Sequence, residues 1–174
     1  MKLRACAVIV CLAVPAAVAS AQGVTDPQIA SIVVTANQVD IDAGKLAESK
    51  STNAQVRQFG HSMVTDHTRV NQQAVDLVTR LKVTPQDNAT SQSLKTGGEQ
   101  NVAHLKTLNG AAFDKAYVDH EVDYHQQVLD AIDKTLVPNA KNEDLKALLV
   151  KVRPAIAAHL DHAKMIQAAL NGRK

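Results

Sequence analysis

Five residues carry whatever chemistry the interior of this chain holds: Asp40, His67, Glu121, His125 and His159. Each falls within the apolar stripe of a helical segment. Glu121 and His125 stand four residues apart and therefore share one helix face. Three imidazoles with one or two carboxylates make a donor set suited to a transition metal such as iron, copper or zinc. The same groups can also satisfy one another, Asp40 and Glu121 accepting hydrogen bonds from the imidazoles with a Tyr117 or Tyr124 hydroxyl joining in. Both readings answer one cost, because a carboxylate or imidazole buried without a partner loses several kcal/mol.

The elements that must position these residues follow from apolar spacing. Pro27, behind Asp26 as a cap, opens a helix to about Lys50, with Ile29, Ile32, Val33, Ala36, Val39, Ala43 and Ala47 on one side and Asp40 among them. Ser51-Thr52-Asn53 turns the chain into a second helix from Ala54 to Leu81, whose stripe contains His67, with Asp66 on its edge and His61 facing out. Residues 83–90 break the pattern. Ser91 to Leu108 reads as a weaker helix, interrupted at Gly97-Gly98 and serving as a crossover. Phe113 to about Val137 is the central helix, carrying Asp114, Glu121 and His125 on its apolar face and placing His120 at the solvated margin. Asn142 to Leu170 is the last helix, with His159 inside its stripe, His162 on the border and Pro154 expected to kink it. Four long helices, two tight hairpins and one long middle connection describe an all-α antiparallel four-helix bundle with a crossover.

Heights along the bundle agree with a common layer. Asp40 precedes the turn at Thr52 by about 12 residues and His67 follows it by about 15, a mismatch of roughly one turn at 1.5 Å per residue. Glu121 and His159 stand about 18 and 20 residues either side of Asn139, within one further turn.

Residues 1–21 read as a cleaved export signal: Lys2 and Arg4, an apolar run from Ala5 to Val18, then Ala19-Ser20-Ala21. That run is too short to span a bilayer, which needs roughly 20 apolar residues. Residues 22–174 are then a single domain in the periplasm. Cys6 and Cys11 leave with the signal, so disulfide and thiolate chemistry are excluded and any metal must use His and carboxylate. Without Lys2 and Arg4, the remaining members of the 19 basic residues equal the 17 acidic ones, and no basic footprint for nucleic acid is left. Trp is absent and aromatic content is only 2%, a composition for packed helices rather than sheet. No Ser or Cys nucleophile with a base partner, phosphate-binding glycine loop or dinucleotide fingerprint occurs, so no catalytic or organic-cofactor residue is assigned.

Met63-Val64-Thr65-Asp66-His67, Ala43 to Ala47 (AGKLA), Phe113 to Tyr117 (FDKAY), His125 eight residues beyond Tyr117, and His159 together resemble an exported ferritin-like family catalogued as domain of unknown function 4142. The resemblance runs from Gln28 to Leu170. It implies a ferritin-like bundle in the bacterial periplasm with no established activity. Members are often labelled outer membrane proteins, but neither barrel strands nor a spanning helix is legible here. Metal-binding ferritins use Glu-x-x-His on two helices. No acidic residue of this chain stands three before a His, so a di-iron oxidase pattern is not matched.

Three functions are therefore expected in order. The first is a periplasmic, non-enzymatic bundle binding a transition metal through His67, His125, His159, Glu121 and Asp40. The second is an envelope protein, partnered or self-associated, whose buried polar network only sets helix register and whose acidic face at Asp119, Asp123, Asp130 and Asp133 meets a partner. The third is a metal-dependent oxidase or peroxide-handling enzyme.

Overall fold

The computed structural model describes residues 23–172; the segment read as an export signal lies outside them. Four long helices form the bundle: α1 (Asp26–Lys50), α2 (Ala54–Leu81), α4 (Gly110–Ala131) and α6 (Glu143–Asn171). Between α2 and α4 runs α3 (Ala89–Thr107). A π-helical segment, Ile132–Leu136, and the single turn α5 (Val137–Asn139) prolong α4 before α6 begins. α1 pairs with α2, α4 pairs with α6, and α3 lies along α1. This is the expected bundle with a crossover. Among the described residues no helix is long and apolar enough to cross a membrane.

The helix starts follow local chemistry. Thr25, not Asp26, is the N-cap of α1, and its N–H donates to Gln28 Oε1 at 3.0 Å. Asp26 is thereby released to accept from the backbone N–H groups of Lys141 and Asn142, both at 2.9 Å, tying the start of α1 to the loop before α6. Asn53, Asn88 and Asn142 cap α2, α3 and α6 through their side-chain oxygens. Asp114, which the apolar stripe of α4 also places inward, accepts from Ser51 Oγ in the α1–α2 turn, an architectural role.

One departure from the sequence reading has a steric cause. α3 is continuous through Gly97-Gly98. Gly98 is required there because α3 presses on α1: a Cβ at that position would lie 2.6 Å from Val39 Cγ2. α6 runs through Pro154 as one helix, as the sequence reading has it. The α1–α2 crossing is equally close, since a Cβ on Gly60 would stand 2.8 Å from the Gly44 carbonyl oxygen, and one on Gly44 would stand 2.8 Å from that of Gly60.

The core divides into two apolar clusters. One contains Ile29, Ile32, Leu77, Leu129, Leu149 and Leu160 with their neighbours. The other contains Ala47, Phe59, Met63, Phe113, Tyr117 and Ile166. On α1, α2 and α4 the segment joining the two clusters carries polar residues, Asn37 and Asp40, His67, and Glu121 and His125; on α6, His159 stands beside Leu160, where the first cluster ends.

Glycine spacing gives a stability test. Gly60→Val should cost roughly 1–3 kcal/mol through overpacking against α1. Gly97→Ala, where an added Cβ meets nothing within 4 Å, should stabilise by about 0.5–1 kcal/mol. Urea unfolding of the two variants beside the parent reads both signs.

Candidate metal centre

The polar layer brings all five sequence-derived residues together. The ring centroids of His67, His125 and His159 form a nearly equilateral triangle, 5.3 to 5.7 Å on a side. One ligand nitrogen from each lies within 4.8 Å of the other two. Asp40, Glu121 and His125 satisfy the same distance among themselves. His67, His125, Asp40 and Glu121 are buried, whereas 12% of the His159 side chain is exposed, so the layer meets solvent on the α6 side.

Each imidazole has one nitrogen engaged and one unengaged. His67 Nδ1 faces Asn37 Oδ1 at 2.8 Å and Asp40 Oδ2 at 3.4 Å. Asn37 is itself oriented by donating its amide to Val33 O at 2.8 Å. His125 Nδ1 faces Glu121 O at 3.0 Å and Glu121 Oε2 at 3.3 Å. His159 Nε2 faces Asp66 Oδ2 at 3.2 Å. Every one of these neighbours is an acceptor, which puts a proton on the facing nitrogen. The opposite nitrogens, His67 Nε2, His125 Nε2 and His159 Nδ1, are buried and have no hydrogen-bond partner among the described residues. An imidazole donating to an oxygen with its far lone pair exposed is the second-shell arrangement of metal-ligating histidines.

The electrostatics sort the three rings. Burial, reinforced by the charge of His125, holds His67 and His159 below the usual histidine pKa, the latter despite Asp66. Burial also opposes charge on His125, but Asp40 and Glu121 outweigh it and raise its pKa to about 9. Asp40 is pushed well above the carboxylate range by burial and by Glu121, with His125 acting against the rise. The layer thus favours the charged form of His125 and the neutral forms of His67, His159 and Asp40.

Two contributors were not singled out from sequence. Asn37 was missed although it stands three residues before Asp40 and so shares its face. Asp66, placed at the edge of α2, reaches His159 across the α2–α6 interface, a pairing that only helix rotation reveals. His120 departs from its expected solvated position: it is half-buried, stacked on Tyr124 at 5.5 Å, and its Nε2 has no partner among the described residues. His162 packs edge-on against Phe59 at 5.2 Å, outside the triangle. The Tyr124 hydroxyl donates to Ala36 O at 3.1 Å and takes no part in the layer's network.

Residues 12–166 match the family described as Domain of unknown function (DUF4142). This chain belongs to that family. No curated protein matches it. Among solved structures, CopM in the Cu(II)-bound form is similar, with a TM-score of 0.67 at 14% identity, covering 85% of this chain and 99% of that one. At that identity the likeness is one of fold.

The His125 shift sets a pH dependence. A folded-state pKa of about 9 against an ordinary 6.5 contributes stability that is complete below about 6.5 and lost as pH rises through 9. The depressed His67 and His159 act in the opposite sense and below 6.5. Chelator-treated protein should therefore lose melting temperature between pH 7 and 9, and Glu121→Gln should flatten that slope; an equal slope in both would remove the Glu121–His125 pair as its source.

Proposed function

We propose that this protein holds a transition metal ion, copper(II) foremost, in the polar layer of its bundle. His67 Nε2, His125 Nε2 and His159 Nδ1 are the ligands. One observation carries the reading: three buried nitrogens from three helices converge without hydrogen-bond partners among the described residues, while the far side of each ring is pinned by an oxygen acceptor. A network built only for helix register would spend those nitrogens on one another or on the carboxylates.

Asp40 and Glu121 lie behind the rings, on the Nδ1 sides of His67 and His125. Their role is to fix ring orientation and to offset the charge of the ion; they are not its first ligands. Imidazole donors suit copper, zinc, iron and nickel, and copper(II) heads the divalent affinity order. The fold shared with a Cu(II)-bound protein supports the same choice. The order of basic, apolar and Ala-x-Ala segments in residues 1–21 supports work in the periplasm. There the protein sequesters or carries the ion.

Elemental analysis of protein prepared without chelator, followed by copper titration, should give about one ion per chain. His125→Ala and His159→Ala should each abolish stoichiometric binding with helicity retained by circular dichroism. Failure of copper, iron and zinc alike to bind the parent leaves the network reading in its place. Asp66→Asn, which removes only the charge behind His159, should weaken affinity roughly 10- to 100-fold.

Uptake should also expel a proton. His125 is charged at neutral pH, whereas ligation needs its Nε2 lone pair. About one proton should therefore be released per ion at pH 7, measurable with an indicator dye in weak buffer. Proton-neutral binding would mean either that Asp40 takes up the proton or that His125 is not a ligand, and Asp40→Asn separates the two.

A further inference from the structure

Beside the imidazole layer the core does not close. A cavity of about 460 Å³ opens among α1, α3, α4, the π-helical segment and α6. Asn37, Asp40 and His67, all buried, line its inner end. Thr90, Ser93 and Gln127, all exposed, mark its mouth. The walls between are aliphatic, supplied by Ile32, Val128, Leu136, Leu149, Val152 and Ile156 among others.

Two features make the space. Ala36 on α1 and Ala131 on α4 put methyl groups where larger side chains would fill the core. The π-helical turn Ile132–Leu136 then widens the end of α4, and both Ile132 and Leu136 line the cavity. Such π segments are uncommon and recur at functional sites. The volume falls within the range of small-molecule pockets, roughly 300–1,000 Å³.

The chemistry of the lining restricts the occupant. Aliphatic walls favour an apolar body and penalise charge. At the inner end Asp40 Oδ1 is buried without a hydrogen-bond partner among the described residues. A hydroxyl satisfies that atom without bringing a second charge into the layer. A carboxylate head would face the carboxyl group of Asp40, and an ammonium head would surrender its hydration between aliphatic walls.

We propose that this cavity binds an uncharged amphiphile, an apolar body with one hydroxyl head seated at Asp40. The cavity reaches His67 but is lined by neither His125 nor His159, so occupancy does not need the metal.

The test uses chelator-treated full-length protein and the neutral fluorophore N-phenyl-1-naphthylamine. Saturable binding at one site is expected, with displacement by 1-decanol at concentrations at least tenfold lower than by decanoate or decylamine. Ala131→Phe, which fills the cavity, and Thr90→Trp, which blocks the exposed mouth, should each reduce probe affinity at least tenfold. Should Ala131→Phe lose its helical circular dichroism, the surface variant Thr90→Trp decides alone. No saturable binding to the parent, unchanged affinity in the folded variants, or displacement favouring either charged chain overturns the proposal. A failure of copper binding leaves this result untouched, so the two readings fail separately.

Discussion

Everything in this bundle is arranged around a layer of polar groups that is buried except at its His159 edge and must be satisfied largely where it stands. Two apolar clusters hold the helices together on either side of it. Placing Asp40, Glu121 and His125 between them is costly in isolation, and the cost is offset by proximity: His125 stands against Glu121, Asp40 against His67, and Asn37 anchors His67. The remaining imidazole nitrogens, with Asp40 Oδ1 and the Glu121 carboxylate oxygens, have no hydrogen-bond partner among the described residues.

That arrangement depends on helix geometry at a distance from the layer. The Gly44–Gly60 contact brings α1 and α2 close enough for Asp40 and Asn37 to meet His67. Asp26 ties the start of α1 to the loop that launches α6, and Ser51 ties the α1–α2 turn to Asp114 of α4. The two hairpins are thus joined at both ends. Residues from α1, α2, α4 and α6 consequently share one height, as counting along the chain anticipates.

The π-helical segment gives the end of α4 a second consequence. It preserves the inward direction of Ile132 and Leu136 while altering the hydrogen-bond ladder, and it borders the cavity that ends at Asp40 and His67. The proposed ion and the proposed amphiphile would approach the same layer differently. The cavity leads to the α1–α2 side, whereas His159 provides the partly exposed edge.

Apolar periodicity alone determined the four long helices, their inward faces and the presence of Asp40, His67, Glu121, His125 and His159 on those faces. A helix of known rise and turn leaves little freedom in either. The sequence also determined the absence of thiol ligands in residues 22–174. Tertiary structure decided which nitrogen of each ring is engaged, because that depends on helix rotation: Asp66 looks peripheral on α2 yet pairs with His159 of α6. It also decided that α3 runs unbroken through two glycines, since the second is needed for contact with Val39, and that α4 ends in a π turn. Those features arise from neighbours distant in sequence, which local spacing does not encode.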